Sequence, residues 1–379
     1  MRYSYKSIRW QNSLFLGSTF LVTVTAVPAY IWQNGLNLFQ IMLFGAFFIV
    51  TGLSITLGYH RLYSHQSFKA TWPVRWLTLV FGAAAFENSA LAWAADHRRH
   101  HKFADQDDDP YDISKGFFHA HMGWILFRCP PDTSLDWAKD LQRDRLVMWQ
   151  HRYYLAIAVP VAFLLPSLLG WLQGGWRGAL GAFLIAGVAR VFCVHHMTFF
   201  INSLCHTMGR RPYSSRCSAR DSAIMAWFTF GEGYHNFHHE FQHDYRNGVK
   251  PWQFDPTKWS IWILQKLALV RQLRRVSEDK ILLAQAAEEH RQVAARLSTR
   301  PTSVQESLHR VLQTAQARLQ QTSSDWARRR AEYRCAADRR MEASRETLVQ
   351  LRKELREAGF RLRAAWREWQ QAQRLVSDI

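Results

Sequence analysis

Cysteine is scarce in this chain of 379 residues. The five present, Cys129, Cys193, Cys205, Cys217 and Cys335, are odd in number, and no two stand at CxxC spacing. That argues against a disulfide framework and against a zinc–thiolate site, and a reducing cytosolic face is the simplest setting. No glycine-rich fingerprint of a flavin or nicotinamide site occurs. There are no tandem repeats and no sign of a haem-binding module. After residue 270 the only proline is Pro301, as expected of long helices. Acidic side chains are also few, 30 against 48 Lys and Arg, giving a net charge of +18. A basic balance points to nucleic acid, anionic lipid or acidic partners. Nucleic acid is the option set aside, because the apolar residues are gathered into membrane-span lengths.

Hydrophobic residues make up 48% of the chain, which is ordinary, but they are unevenly spread. Apolar stretches run from about Leu14 to Trp32, Leu38 to Leu57, Tyr154 to Leu172 and Ala179 to Phe200. Each approaches the roughly 20 residues a spanning helix needs. The first is too long for a cleaved signal peptide, and a second follows closely. Short turns, Gln33 to Asn37 around Gly35 and Gln173 to Trp176, pair the stretches into two hairpins. Both termini and the loop 58–153 then share one side. That side carries Arg2, Lys6 and Arg9, whereas the turns opposite hold only Arg177, so the loaded side is expected to be cytoplasmic. Pro73 to Ala95 is a further apolar stretch, expected as a helix along the interface or packed on the others, with a fifth span as the alternative. The fourth stretch and its continuation to His206 make a helix of about 40 Å, long enough to project into the cytosol. The expected domains are a membrane domain over 1–270 and a basic helical or coiled-coil-like extension over 271–379, with a break from Ser298 to Pro301. The bland expectation for the extension is oligomerisation or partner docking.

Nine of the 17 histidines fall in spaced groups near span ends: His60 and His65 in HRLYSH, His97, His100 and His101 in HRRHH, His235, His238 and His239 in HNFHH, and His206 in NSLCH. Residues three and four apart on a helix share a face, so each HxxHH triplet points one way, as do Asn202 and His206. His60 and His65 lie five apart, about 140° round an α-helix, and are expected to diverge or to be split by a helix end. Imidazole suits iron, zinc, copper and nickel. A structural site takes four ligands, so nine histidines imply two metals. Carboxylates behind the rings would orient them and balance charge, and Glu87, Asp96, Asp105, Asp107, Glu232, Glu240 and Asp244 are near in sequence. His119, His121, His151, His195, His196 and His243 fit no group and are expected in core or surface roles. The run DQDDDP at 105–110 lacks the glycine and closing glutamate of a calcium loop. It is expected to be a solvated loop or a support behind the ligands.

HRLYSH, HRRHHKFADQDDDPY, GWILFR, NSLCH and GEGYHNFHH, in this order and spacing, resemble the membrane-bound delta-9 acyl-CoA desaturases (stearoyl-CoA desaturase-like), bacterial type, over about residues 35–260. The resemblance implies an all-α integral membrane protein, with four transmembrane helices carrying a cytosolic helical cap that holds a di-metal site. It implies two iron ions held by His60, His65, His97, His100, His101, His206, His235, His238 and His239, with Asn202 holding a water at one of them. It implies an oxygen-dependent insertion of a cis double bond into a saturated acyl chain, along a dry, bent tunnel. Trp93 matches a tunnel-lining position, Phe48 and Gly52 match its blind end, and Asn88, Asp96 and Arg128 match contacts to a CoA headgroup. Ala95 stands where animal members have Arg, Cys129 replaces a Lys and Phe199 replaces a Trp. The fewer cations keep acyl-lipid and acyl-carrier-protein substrates open beside acyl-CoA. Electrons come from an external donor, a ferredoxin or b-type cytochrome with its reductase, steered to the basic face. A di-iron hydroxylase of alkyl or acyl chains shares this histidine logic. A metal transporter is the rival of another class, but transporters place their ligands near the bilayer midplane, and these lie beyond the span ends.

Overall fold

The computed structural model describes residues 7–128, 134–297, 302–338 and 345–377. Arg2, Lys6, Cys129 and the break expected from Ser298 to Pro301 lie outside them. The described chain is mostly helical and divides into two compact units, 1–211 with 216–275, and 212–215 with 276–379.

In the first unit three helices are long and apolar enough to cross a membrane: α1 (Trp10–Asn34), α2 (Leu38–Ser64) and α5 (Tyr154–Thr207). At 1.5 Å per residue α1 is about 37 Å long, against a hydrocarbon core of about 30 Å. Leu14, Trp32, Leu38, Met42, Ile49 and Leu172 stand exposed on these helices, as side chains facing lipid would. The turn between α1 and α2 uses Gly35 at φ +73°. Asn37 and Gln40 then close a reciprocal cap on the first turn of α2, which pairs amide groups that lipid would leave unsatisfied.

α5 is not one rod. Gly174 and Gly175 leave helical geometry, the latter at φ 60°, ψ −149°. Eight residues of straight helix span about 12 Å, yet a Cβ added at Gly170 would lie 2.3 Å from the Gly178 carbonyl oxygen. The segment therefore doubles back at the glycine pair. Pro73 to Ala95 does not form a fifth span. It is divided into α3 (Trp72–Ala83) and α4 (Ala90–Phe103) by non-helical residues, and 12 residues reach only about 18 Å.

Two features position the site. The last 11 residues of α2, Ser54–Ser64, wind as a π-helix. A short antiparallel pair, β1 (Lys69–Ala70) with β2 (Val270–Arg271), ties the chain after α2 to the end of the unit. Beside them α6 (His235–Glu240) and α7 (Pro256–Lys266) complete a cap around a core that includes Tyr59, Leu79, Leu91, Val147 and Ile261.

The second unit holds α8 (Glu278–Leu297), α9 (Thr302–Asp338) and α10 (Arg345–Ser377). Ion pairs Arg329–Glu354, Asp325–Arg361 and Arg318–Glu368 make α9 and α10 antiparallel. The three helices enclose their own core of Ala286, Val293, Leu312, Leu319, Leu362, Ala365, Trp369 and Ala372. Trp369 is fully buried, and its indole N–H donates to Glu289 at 2.8 Å. Trp369→Ala is expected to destabilise this unit by about 3–5 kcal/mol, measured by denaturant unfolding of the full chain followed through loss of helix. An unchanged midpoint would refute this core assignment.

Candidate metal centre

The π-helical winding decides where the first two histidines go. A helix with i to i+5 bonding brings residues five apart onto one face, and the His65 amide donates to the His60 carbonyl at 3.1 Å. The two rings lie 4.8 Å apart. Of the two expectations for this pair, divergence is overturned, since both join one group, while the helix does end between them, at Ser64, with His65 as its cap.

That group is His60, His65, His97, His101 and His238; a second is His100, His206, His235 and His239. Within each, every residue offers one donor atom within 4.8 Å of all the others. The two HxxHH triplets each divide between the groups, in opposite senses. α4 gives its i,i+4 pair, His97 and His101, to the first group and His100 to the second. α6 gives its i,i+4 pair, His235 and His239, to the second and His238 to the first.

The ring nitrogens face one another at distances that suit a shared cation. Nε2 of His60 stands 3.0 Å from Nε2 of His238, His65 2.8 Å from His97, His101 3.1 Å from His97 and His238 2.9 Å from His101. In the second group His239 Nε2 lies 3.1 Å from His235 and 3.3 Å from His100. Ligands about 2.0–2.1 Å from one shared metal stand about 3 Å apart when adjacent.

The outer nitrogens fix the tautomers. Both oxygens of Asp109 lie 2.9 Å from His100 Nδ1. His206 Nδ1 meets Ser218 Oγ at 2.7 Å, and that hydroxyl donates onward to Asp105 at 2.5 Å, so the ring must donate to the serine. Glu232 Oε2 sits 2.9 Å from His60 Nδ1, off the ring's N–H axis. With Nδ1 carrying the proton, Nε2 presents its lone pair inward. Buried His206 Nε2 has no hydrogen-bond partner. The residues therefore fit a pair of metal ions.

Burial, and then the neighbouring histidines, hold His97, His101, His235, His238 and His239 well below the usual imidazole pKa. Glu232 and Asp109 move the other way for carboxyls in a dry place. Burial opposes their ionisation, but Arg61 and His60 hold Glu232 below its ordinary value, and His100 with two backbone amides does the same for Asp109.

Of the carboxylates singled out in the sequence, Glu232 and Asp105 support rings. Glu240 pairs with Arg216, Asp244 with Arg246, and Asp107 receives Lys115 on its carbonyl. Asp109, Ser218 and Arg61 were missed as individuals. Asp109 lies within the acidic run and is 2% exposed. Its signal was its distance of nine residues from His100, which no helical periodicity reveals. The ungrouped histidines join neither cluster. His151 contacts Ser89, His121 contacts Ser203 and His196, His243 contacts the His65 carbonyl and His195 the Phe86 carbonyl. His119 is buried.

A cavity of about 520 Å³ opens on the histidines, within the range of small-molecule sites. His60, His97, His235, Asn202, Trp93, Asn88, Asp96 and Phe199 line it, together with Phe15, Leu16, Phe86 and Ile201. Trp93 stacks on His97 at 4.7 Å and donates to Glu87 at 3.2 Å, and Thr198 donates to the other Glu87 oxygen at 2.7 Å. Burial pushes the Glu87 carboxyl up to about 8. A smaller hollow shares Ile55, Thr56, Thr198 and Ile201 with this cavity and ends on Gly52 and Phe230. Phe48 packs on Phe230 with ring centres 5.6 Å apart. Arg128 is exposed and lies outside the cavity lining, and Ala95 is fully buried in the core.

Residues 37–262 match the family described as fatty acid desaturase. The chain is 39% identical over 279 residues to a probable acyl-CoA desaturase of Schizosaccharomyces pombe, covering 73% of this chain and 57% of that protein. It is 41% identical over 298 residues to acyl-CoA desaturase 1 of Saccharomyces cerevisiae, covering 76% and 56%. It is 34% identical over 288 residues to the human stearoyl-CoA desaturase, covering 74% and 77%. The chain thus spans a little over half the length of the two fungal relatives.

The lowered imidazoles carry a pH signature. In the unfolded chain they take up protons near pH 6.5, whereas in the metal-free fold they do not. The unfolded state binds more protons below that value, so stability falls as pH falls. Chelator-treated protein is expected to keep its stability from pH 8 to 7 and lose it steeply between pH 6.5 and 5, in thermal unfolding at each pH. A flat profile would contradict the neutral cluster.

Proposed function

Since the chain belongs to the fatty acid desaturase family, we propose that it introduces a cis double bond, at the delta-9 position, into a saturated acyl chain carried as acyl-CoA. The observation that carries this reading is a pair of adjoining histidine groups opening on a cavity with apolar walls, beside which a smaller hollow shares Ile55, Thr56, Thr198 and Ile201 and reaches Gly52. The relatives, acyl-CoA and stearoyl-CoA desaturases by name, support the substrate class.

His60, His65, His97, His101 and His238 are proposed to hold one iron ion. His100, His206, His235 and His239 hold the other, with Asn202 attached through a water. When bound, the irons supply the oxygen activation that an unactivated C–C bond requires. The overall change takes two adjacent methylenes, O2, two electrons and two protons to an alkene and two waters. The chain's own part is to place those methylenes and keep them dry. Phe15, Leu16, Ile55, Phe86 and Ile201 give the acyl chain an apolar wall. Trp93, fixed by its bond to Glu87, holds that wall against His97. Gly52 is proposed to bound the blind end, with Phe48 packed behind Phe230. A Cβ at Gly52 would meet the Phe230 ring at 2.4 Å, so side-chain bulk there limits chain length. Asn88 and Asp96 are proposed to meet the headgroup from inside the cavity and exposed Arg128 from outside it.

The fold-back of α5 at Gly174 and Gly175 supports four spans, with both termini and the histidines on the cytoplasmic face. The membrane domain then ends near residue 270 and the basic helical extension follows. A ferredoxin or b-type cytochrome, reduced by its own reductase, is the proposed donor, and the net charge of +18 would steer an acidic carrier to this face.

Ionisation of Glu87 as pH rises through about 8 would put a charge into an apolar wall. The KM for acyl substrate is expected to rise above pH 8 in the native enzyme and to stay flat in Glu87→Gln, which keeps a neutral hydrogen-bonding group. The same alkaline rise in both proteins would refute this role.

The reading as a whole is tested by expression in a host lacking its own desaturase, with an electron donor present, and fatty-acid profiling that locates double bonds. A new delta-9 alkene is expected, and none from His238→Ala. A hydroxylated product without alkene, or an active His238→Ala variant, would overturn it.

A further inference from the structure

Behind His60 lies a chain of charges with almost no access to water. Arg61 is 1% exposed, Glu232 2%, Asp255 0% and Asn247 1%. All five N–H donors of the Arg61 guanidinium are used. Nε and Nη2 donate to Glu232 Oε1 at 3.2 and 2.8 Å, Nη2 and Nη1 donate to Asp255 at 3.0 and 3.2 Å, and Nη1 donates to the Tyr245 carbonyl at 2.8 Å. Asp255 also accepts the amides of Asn247, Gly248 and Lys258 at 2.8–3.0 Å, so it starts α7 and anchors Arg61 together. The other Glu232 oxygen receives Asn247 Nδ2 at 2.6 Å and stands 2.9 Å from His60 Nδ1.

Stability alone is a poor reason for this arrangement. Taking one cation and two anions out of water costs several kcal/mol per ion, and apolar replacements of buried ion pairs are often as stable or more so. The chain does have a direction. It begins on a helix N-terminus at residue 255 and ends on the outer nitrogen of a histidine. Arg61 itself sits in the π-helical turn between His60 and His65. The Glu232 end of this chain stands against His60, a member of the five-histidine group, which has no anionic member of its own.

We propose that Arg61 and Asp255 are positioning residues for the five-histidine group. They clamp Glu232 so that its remaining oxygen holds the His60 ring with Nε2 turned inward. The inference rests on the reading of the histidines as metal ligands. It makes the two groups separable: His100 and His206 in the second group are oriented by Asp109 and by Ser218 with Asp105, with no part of this chain.

The test uses full-length protein in detergent, stripped and reloaded with iron(II) or cobalt(II). It reads metal per chain, the affinity of each metal by chelator competition, and the unfolding temperature of the metal-free form. Wild type is expected to hold two metals. Arg61→Lys keeps the charge but loses the fork that joins two carboxylates. It is expected to weaken one of the two metals by about 10- to 100-fold while the other keeps its affinity and the metal-free form unfolds near the wild-type temperature. Glu232→Gln should weaken the same metal. Asn247→Ala, which leaves the Arg61–Asp255 pairing intact, should weaken it less, and it serves as the test if Arg61→Lys fails to fold. Two metals at wild-type affinity in these variants, or equal weakening of both, would overturn the proposal. A wild type that binds no metal would instead overturn the ligand reading beneath it.

Discussion

Nine imidazoles, most of them buried, with their inner nitrogens about 3 Å apart, are the constraint around which the rest of this unit is arranged. Neutral rings so placed cannot all hydrogen-bond to one another, because each contact needs a proton on one side, and Asp109 and Ser218 already take the Nδ1 protons of His100 and His206. Burial and mutual repulsion oppose charge on His97, His101, His235, His238 and His239. A cation shared by the inner nitrogens would give their lone pairs a partner. Elements that pack closely against the centre serve this. The π-helical end of α2 brings His60 and His65 onto one face, the division between α3 and α4 lets His97–His101 approach, and the pairing of β1 with β2 closes the cap behind them.

The membrane helices contribute dryness and reach. α2 and α5 are longer than a hydrocarbon core requires, and their ends carry His60 and His206 to the rings of α4 and α6. The same helices supply one wall of the cavity, at Gly52, Ile55, Thr198 and Ile201. The elements that bear the histidines thus also bear these wall residues.

Much of this was legible in the sequence because it depends on period. Apolar runs marked the long helices, and i, i+3, i+4 spacing marked HRRHH and HNFHH as one-faced triplets. The glycines at 174 and 175 marked the place where α5 turns back. What stayed hidden depends on departures from period or on contacts between distant segments. The α-helical angle of about 140° between His60 and His65 was the wrong ruler, since nothing in SITLGYHRLYS announces π winding. The acidic run at 105–110 gave no reason to single out Asp109. Arg61 looked like one more basic residue near a span end, and its partners Glu232 and Asp255 lie more than 170 positions away.

The division of the triplets carries the argument a step further. Because α4 and α6 each give an i,i+4 pair to one group and the i+3 histidine to the other, in opposite senses, together they supply three ligands to each group. The two helices alone would build a symmetric pair of sites. The asymmetry comes from the long apolar helices: α2 and its cap residue give His60 and His65 to the first group through the π turn, and α5 gives only His206 to the second. Five against four is thus a consequence of how α2 and α5 end. The group with fewer histidines is the one whose α5 carries Asn202 one turn before His206, on the cavity wall. The inequality in histidine count therefore lies on the side where Asn202 lines the cavity. This chain produces it by winding one helix end differently from the other, without changing ligand type.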